Sequence, residues 1–472
     1  MSAIVKEAQY GLKPESVKVK RYTRVLPSLG NNPSSGYAFG DTVTFYLPCG
    51  LTNQVLDGST ATLRFQAGIN VAAAGGNVAA NAQFVGWDYT ASSLIRRIDI
   101  YGSGGALISS VDRYNVLMNC LYDVSHSASE LCGLSPLLGC NERLYGTDAD
   151  GSGTVNTTII TNEQSRRSKA MKNTAQVNQN ANTTFTFTFS IPLISPLTSG
   201  CDKYIPIYAL NDDIRIEIVL DTQVNSVVIP TVANSTVTLP YAMLNPSIIV
   251  DYLEIEDGAM NQIKSLYSGR DLVLHAEDWH TYETTVADAT TGQWNTILPC
   301  KAMSAKMALF TWRRLGTTGV QAGYALSSRT NPFTTAGSTF NLNVGGNRVP
   351  QRPITTMTTN GITEYFIELK KALHALNHVE FSGNMCTSAY TSSSDVAVGD
   401  NPNARSFLAG INLDTLRGQS DVLLSGTDLS KVTTYIEGNY AGAITGAQTL
   451  NTFVKHDTLL VVSPDGSLTS RW

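Results

Sequence analysis

The stretch IYALNDDIRIEIVLD (Ile207–Asp221) decides the fold. Ile214, Ile216 and Ile218 alternate with Arg215 and Glu217. Side chains on a strand alternate between faces, so a period of two sends the isoleucines one way and the charges the other. Asp212, Asp213, Glu217 and Asp221 crowd the same stretch. A glycosidase can carry paired carboxylates on strands, spaced across the bond it cleaves. The plainer reading is a strand with one wet face, because charges rarely enter a core unpaired. Asp212 and Asp213 stand just before the strand and read as turn residues.

Working outward, the same period recurs. DTVTFYLP (Asp41–Pro48), ATLRFQAGI (Ala61–Ile69), SLIRRIDIYG (Ser93–Gly102), FTFTFSIPL (Phe185–Leu193) and SIIVDYLEI (Ser247–Ile255) read as strands. A second series follows: Arg270–Val286, Ala305–Arg313, Ser338–Val344, Arg405–Asp414, Thr433–Tyr440 and Asp457–Pro464. Helical patterns are few, at Ser110–Asp123, Asp257–Gly269 and Thr363–Leu376. Asp257 is placed to cap the second and Gly269 to stop it. Many short strands punctuated by turns predict an all-β chain of sandwich or jelly-roll type. The expected organisation is an N-terminal arm (1–38), a first β unit (39–256), a helical linker (257–270) and a second β unit (271–472). The stretch from about 125 to 184, rich in Gly, Ser, Asn and Thr, reads as a long loop.

The bulk properties suit this reading. A chain of 472 residues exceeds one ordinary core, so two domains are expected. Charged residues make up 15%, against about 25% in a usual soluble domain. A surface built instead from Ser, Thr, Asn and Gly puts little charge between neighbouring copies. The formal net charge of -5 provides no global positive field for nucleic acid, and no sequence-specific nucleic-acid binding is expected. Seven cysteines, without a CxxC pair, read as scattered free thiols. No signal peptide and no run of about 18 apolar residues is evident. Sequons at Asn156, Asn182 and Asn234 are attributed to chance in an Asn/Thr-rich chain.

Chemistry-bearing motifs are weak. His374 and His378 fall at i, i+4, but the Glu of HExxH is missing and no third ligand is near. In HAEDWH, His275 and His280 lie on opposite faces of a strand, which works against a shared ion. His126 and His456 look isolated. GSGG (Gly102–Gly105) lacks the ending of a phosphate loop and reads as a hairpin turn. No GxSxG elbow is present. In the pairs Arg96–Arg97 and Arg313–Arg314, one Arg of each is expected to face inward. No catalytic, cofactor or metal residues are assigned, and the chain is not expected to be an enzyme. The five tryptophans (Trp87, Trp279, Trp294, Trp312, Trp472) are dispersed, unlike a sugar-binding cleft.

The arm carries Lys13, Lys18, Lys20, Arg21 and Arg24. Two contacts are open to it: a neighbouring subunit, or an anionic partner such as phospholipid heads or nucleic acid. The first is preferred, since Glu7 and Glu15 dilute the charge and termini are loosely held.

Several stretches, in order, resemble the double jelly-roll major capsid proteins of eukaryotic DNA viruses, the giant-virus, virophage and polinton-like type. FSIPLISPLTSGCDKYIPIYALNDDIRIEIVLD (Phe189–Asp221) is similar to a PL turn leading through a loop to a V-x-I-x-I strand. PSIIVDYLEIEDGAMNQIKSLYSG (Pro246–Gly269) resembles the last strand of the first roll and the linking helix, without the ER pair often found there. NTILPCKAMSAKMALFTWR, STFNLNVGGNRVPQR, FLAGINLDTLRGQSDVLLSGTDLS and DTLLVVSPDGSLTSRW resemble successive pieces of the second roll. The likeness runs over about 185–472, with a weaker match from Gly40 to Asp123. It implies two eight-stranded jelly rolls joined by a short helix, and a structural role. Homotrimers form pseudo-hexagonal capsomers that tile an icosahedral shell, in the virion, beside neighbouring capsomers and minor or penton proteins. It leaves open an internal membrane beneath the shell. The alternatives are a minor capsid or vertex protein of the same virus type, and a carbohydrate-binding or carbohydrate-active β-sandwich.

Overall fold

The computed structural model describes residues 18–29, 36–73, 84–87, 90–126, 134–138, 171–172, 183–201, 203–222, 226–228, 235–238, 242–314, 329–359, 361, 363–375, 407–415, 424–444 and 446–472. Strands dominate. In the first half they are β1 (Val19–Pro27), β2 (Thr42–Leu47), β3 (Gln54–Ala73), β4 (Ile95–Tyr101), β5 (Leu107–Asp112), β6 (Thr183–Pro192), β7 (Ile214–Leu220) and β8 (Leu244–Ile255). In the second they are β9 (Leu272–Val286), β10 (Gly292–Leu298), β11 (Ala305–Arg314), β12 (Thr339–Val344), β13 (Asn347–Thr355), β14 (Ala409–Asn412), β15 (Thr434–Tyr440) and β16 (Gln448–Val462), followed by a short β17 (Leu468–Arg471). The longer helices are α1 (Tyr114–Ser125), α2 (Asp257–Tyr267) and α3 (Thr363–Ala372).

The pairing identifies the winding. A long antiparallel hairpin of eight strands pairs first with eighth, second with seventh, third with sixth and fourth with fifth. Rolling that ribbon brings the third beside the eighth and the fourth beside the seventh, which is a jelly roll. All six pairings occur in the first half: β1·β8, β2·β7, β3·β6, β4·β5, β3·β8 and β4·β7. All six recur in the second: β9·β16, β10·β15, β11·β14, β12·β13, β11·β16 and β12·β15. Each half therefore has two facing four-stranded sheets, every pair antiparallel. Other short strands decorate them, among them Ser235–Thr238 beside β3 and Arg329–Thr330 beside β11.

The residues explain the sheets. On β7, Ile214, Ile216, Ile218 and Leu220 are buried, while Arg215, Glu217 and Val219 are half-buried on the other face. Each buried isoleucine contributes about 1.5–3 kcal/mol by leaving water. In the second roll Trp312 is the hub of an aromatic core. Phe333, Phe340 and Phe407 lie 5.1, 5.5 and 5.8 Å from it, centroid to centroid. A single apolar cluster runs through both rolls, joining Ile108 and Val111 of the first to Ala276 and Leu468 of the second.

Four expectations change. The arm is shorter than residues 1–38: β1 pairs with β8 over nine residues, from Val19↔Ile255 to Pro27↔Ser247, and is the first strand of the first roll. The helix expected from Ser110 starts at Tyr114, because Ser110–Asp112 belong to β5 and Arg113, at φ 51, turns the chain. Arg96 and Arg97 both face outward, because the β4·β7 register shifts between Ile95 and Arg97, and such a bulge breaks the alternation. Asp257 is the first helical residue of α2 instead of its cap, and Glu256 holds the cap position without a side-chain bond. Gly269 follows that helix at φ +71, where a side chain would strain the backbone. Most of the long 125–184 stretch, the three sequons, His378, Lys13, Cys132, Cys140 and Cys386 lie outside the described residues. Cys49, Cys120 and Cys300 are free thiols.

Candidate functional site

The seam between the rolls is built largely from main chain. The GSGG turn joins β4 to β5 and docks on the second roll, where Ser103 O accepts from Leu468 N at 3.0 Å. A Cβ on Gly102 would stand 2.2 Å from Leu468 O, so no side chain fits there. Gly200 O likewise accepts from Glu277 N at 2.8 Å, and a Cβ on Gly200 would stand 2.2 Å from Glu277 O. Asn211 N donates to Gly466 O at 3.1 Å. Backbone contacts this close fix the two rolls in one orientation.

Side chains add charge to that seam. Arg113 Nε donates to Glu283 Oε2 at 2.7 Å, and Asn451 Nδ2 reaches the same oxygen at 3.2 Å. Arg313 is buried and donates to Asn451 Oδ1 at 2.7 Å. Burial and the neighbouring Arg113 bring its guanidinium down to about 10. Burial opposes the ionised form of Glu283, but the Arg113 guanidinium outweighs it and holds the carboxyl below its ordinary value. Arg329 is fully buried; it pairs with Asp123 of α1, and its Nη1 reaches Cys120 Sγ at 2.9 Å.

A second constellation sits beside this seam. The β9·β16 register sets Asp278 opposite His456, and strand periodicity puts His280 on the same face as Asp278. One ligand atom from each of the three lies within 4.8 Å of the others. The two imidazole centroids are 4.3 Å apart, and the Trp472 ring lies 4.2 Å from that of His280. Asp278 Oδ1 accepts from Ser109 Oγ of the first roll at 2.9 Å and from Trp279 N at 2.8 Å. Burial pushes the Asp278 carboxyl up to about 7, against both hydrogen bonds. Burial, then the neighbouring His456, pulls His280 down to about 3, so its imidazole is neutral.

Comparison with solved structures places this architecture. The Faustovirus major capsid protein superposes at TM-score 0.58 with 11% identity, over 98% of this chain and 93% of that one. The mavirus major capsid protein does so at 0.55 with 11% identity, over 99% and 93%. The PBCV-1 virus capsid, in a quasi-atomic model, does so at 0.54 with 12% identity, over 98% of each chain. The chain is a double jelly roll. No family model matches it, and no curated protein matches it by sequence.

On this double jelly roll the carboxylates of the opening stretch disperse. Asp213 Oδ1 accepts at 2.9 Å from Cys49 N, 164 residues away in the sequence. Glu217 pairs with Arg215 at 3.3 Å, and Arg215 lies 4.1 Å over the Tyr101 ring. Asp221 is buried and accepts from Asn115 Nδ2 at 2.6 Å. His374 meets Asp414 at 3.6 Å. His275 contacts Asp457 at 2.8 Å, away from His280. Of the basic arm residues, Lys18 is exposed and the next three serve the sheet. Lys20 is 3.9 Å from Glu254, Arg21 is 3.2 Å from Asp57 and 3.5 Å from Asp251, and Arg24 lies 4.6 Å over the Tyr252 ring. The expectation that His456 stands isolated is corrected, since only the register of two strands 178 residues apart brings it to Asp278. The i, i+2 spacing of Asp278 and His280 was the part of that signal present in the sequence.

Proposed function

We propose that this double jelly roll is the major protein of an icosahedral virus shell and works as a homotrimer, in the virion, after assembly in an infected cell. The observation that carries this is two complete rolls of one winding, locked in a single orientation within one chain. Three such chains around an axis present six rolls, so a three-fold oligomer makes a six-sided tile. The likeness to capsid proteins over nearly the whole of each chain supports the reading. So does the surface. Tyr204, Tyr267 and Val273 are exposed around a cleft of about 440 Å³ beside α2, an apolar patch of the kind that marks an interface. Low charge leaves little repulsion between copies meeting there. Its neighbours in the shell are other capsomers and minor or penton proteins.

Sedimentation of the purified chain tests this. The expected species has about three times the 50.8 kDa of one chain. A stable monomer at high concentration overturns the reading. Copy number per particle separates a shell protein from a vertex protein. A carbohydrate-active reading requires two carboxylates in a cleft, and among the described residues none lines the cleft beside α2.

A further inference from the structure

We propose that Asp278, His280 and His456 form a binding site for a divalent transition ion of the Zn²⁺ type, set between the strand pair β9·β16 and the first roll. This does not depend on the capsid reading. His456 carries the argument. Its Nδ1 lies 3.0 Å from Asp457 O, and facing a carbonyl it must carry the proton. Its Nε2 therefore presents a lone pair. That atom is buried and has no hydrogen-bond partner among the described residues, a costly state for a polar group. An imidazole whose other nitrogen is fixed on a carbonyl is the usual form of a metal ligand.

The other ligands are arranged to match. Asp278 is held through Oδ1 by Ser109 and by Trp279 N, an outer shell that orients the carboxylate. His280 is half-buried, and its ring centroid lies 4.3 Å from that of His456. A tetrahedral ion with bonds of about 2.0–2.1 Å holds its ligand atoms about 3.4 Å apart. The three atoms lie within 4.8 Å of one another, so an ion binding there would draw them closer together. Two imidazoles and one carboxylate leave a fourth position for water. This nitrogen-rich set selects against Mg²⁺ and Ca²⁺, which take oxygen ligands.

The test is equilibrium dialysis of the full chain, stripped with chelator, against ZnCl₂, with metal counted per chain. One Zn²⁺ per wild-type chain is expected, together with a higher melting temperature than in chelator. His456→Gln and His280→Gln should each weaken binding at least tenfold, given that even outer-shell losses cost that much. His275→Gln, on the opposite strand face, should bind as wild type. Far-UV circular dichroism certifies each variant as folded, and half-buried His280 provides the second variant if His456→Gln does not fold. Wild type that retains no zinc, or a folded His280→Gln that binds as tightly as wild type, overturns the proposal.

Discussion

At the scale of single residues, the seam depends on groups whose neighbours come from the other roll. Glu283 is held below its ordinary value of 4.5, so the native state binds a proton less readily than the unfolded chain. Its contribution is therefore present above about pH 4.5 and is lost as the pH falls through the native value. Glu283→Gln should cost about 1–2 kcal/mol at pH 7, allowing for solvent screening of a partly exposed pair, and progressively less in acid. Urea midpoints of both proteins at pH 7 and pH 4 check this; an equal gap at both pH values contradicts it. Gly102→Ala should cost about 1–3 kcal/mol, because the added methyl meets Leu468 O and the rolls must part to admit it. Neither effect could be read from sequence, since GSGG looks like any hairpin turn until its partner is known. The Asp278–His456 pair was hidden for the same reason: register, not composition, makes it.

At the scale of elements, every central strand was legible, whereas the edge strands divide: β2, β6, β9 and β14 were read and others were missed. Central strands such as β7 and β8 show clean alternation and are evident in the sequence. Among the strands missed there, β1, β5, β10 and β13 each stand at the end of a sheet. Edge strands carry charge and proline that discourage pairing with other chains, and this breaks the alternation. VKRYTRVLP (β1) and NRVPQRPIT (β13) have this character. Two experiments address the contrast. On β7, Ile216→Asp should abolish folding, because it puts a charge between Phe45 and Ile100 at a cost above about 4 kcal/mol. Glu217→Gln should leave the fold intact, and a well-folded Ile216→Asp protein would mean the faces are reversed. On β1, removing residues 1–17 should leave the melting temperature nearly unchanged. Removing residues 1–28 should lower stability by about 3 kcal/mol or more, because nine residues of ladder and the Arg21 pairs go with it. Equal stability of the two truncations would restore the reading of β1 as a tail.

At the scale of the molecule, the twofold repetition of architecture was legible from two series of period-two strands either side of a helical stretch. The way the two rolls meet was not. A domain boundary read from sequence suggests two cores and a flexible joint. The structure has one apolar cluster through both rolls, with backbone hydrogen bonds at Ser103, Gly200 and Asn211 and buried charge at Arg313 and Arg329. Separating the rolls would wet that cluster and strand those charges, so neither roll is expected to unfold while the other stands. Calorimetry of the wild-type chain should therefore show one transition, with calorimetric and van't Hoff enthalpies equal within error at fixed protein concentration. Gly102→Val, which forces the seam apart at Leu468, should broaden that transition or divide it in two. Two resolved transitions in the wild type would mean that each roll is its own cooperative unit and that the seam only aligns them.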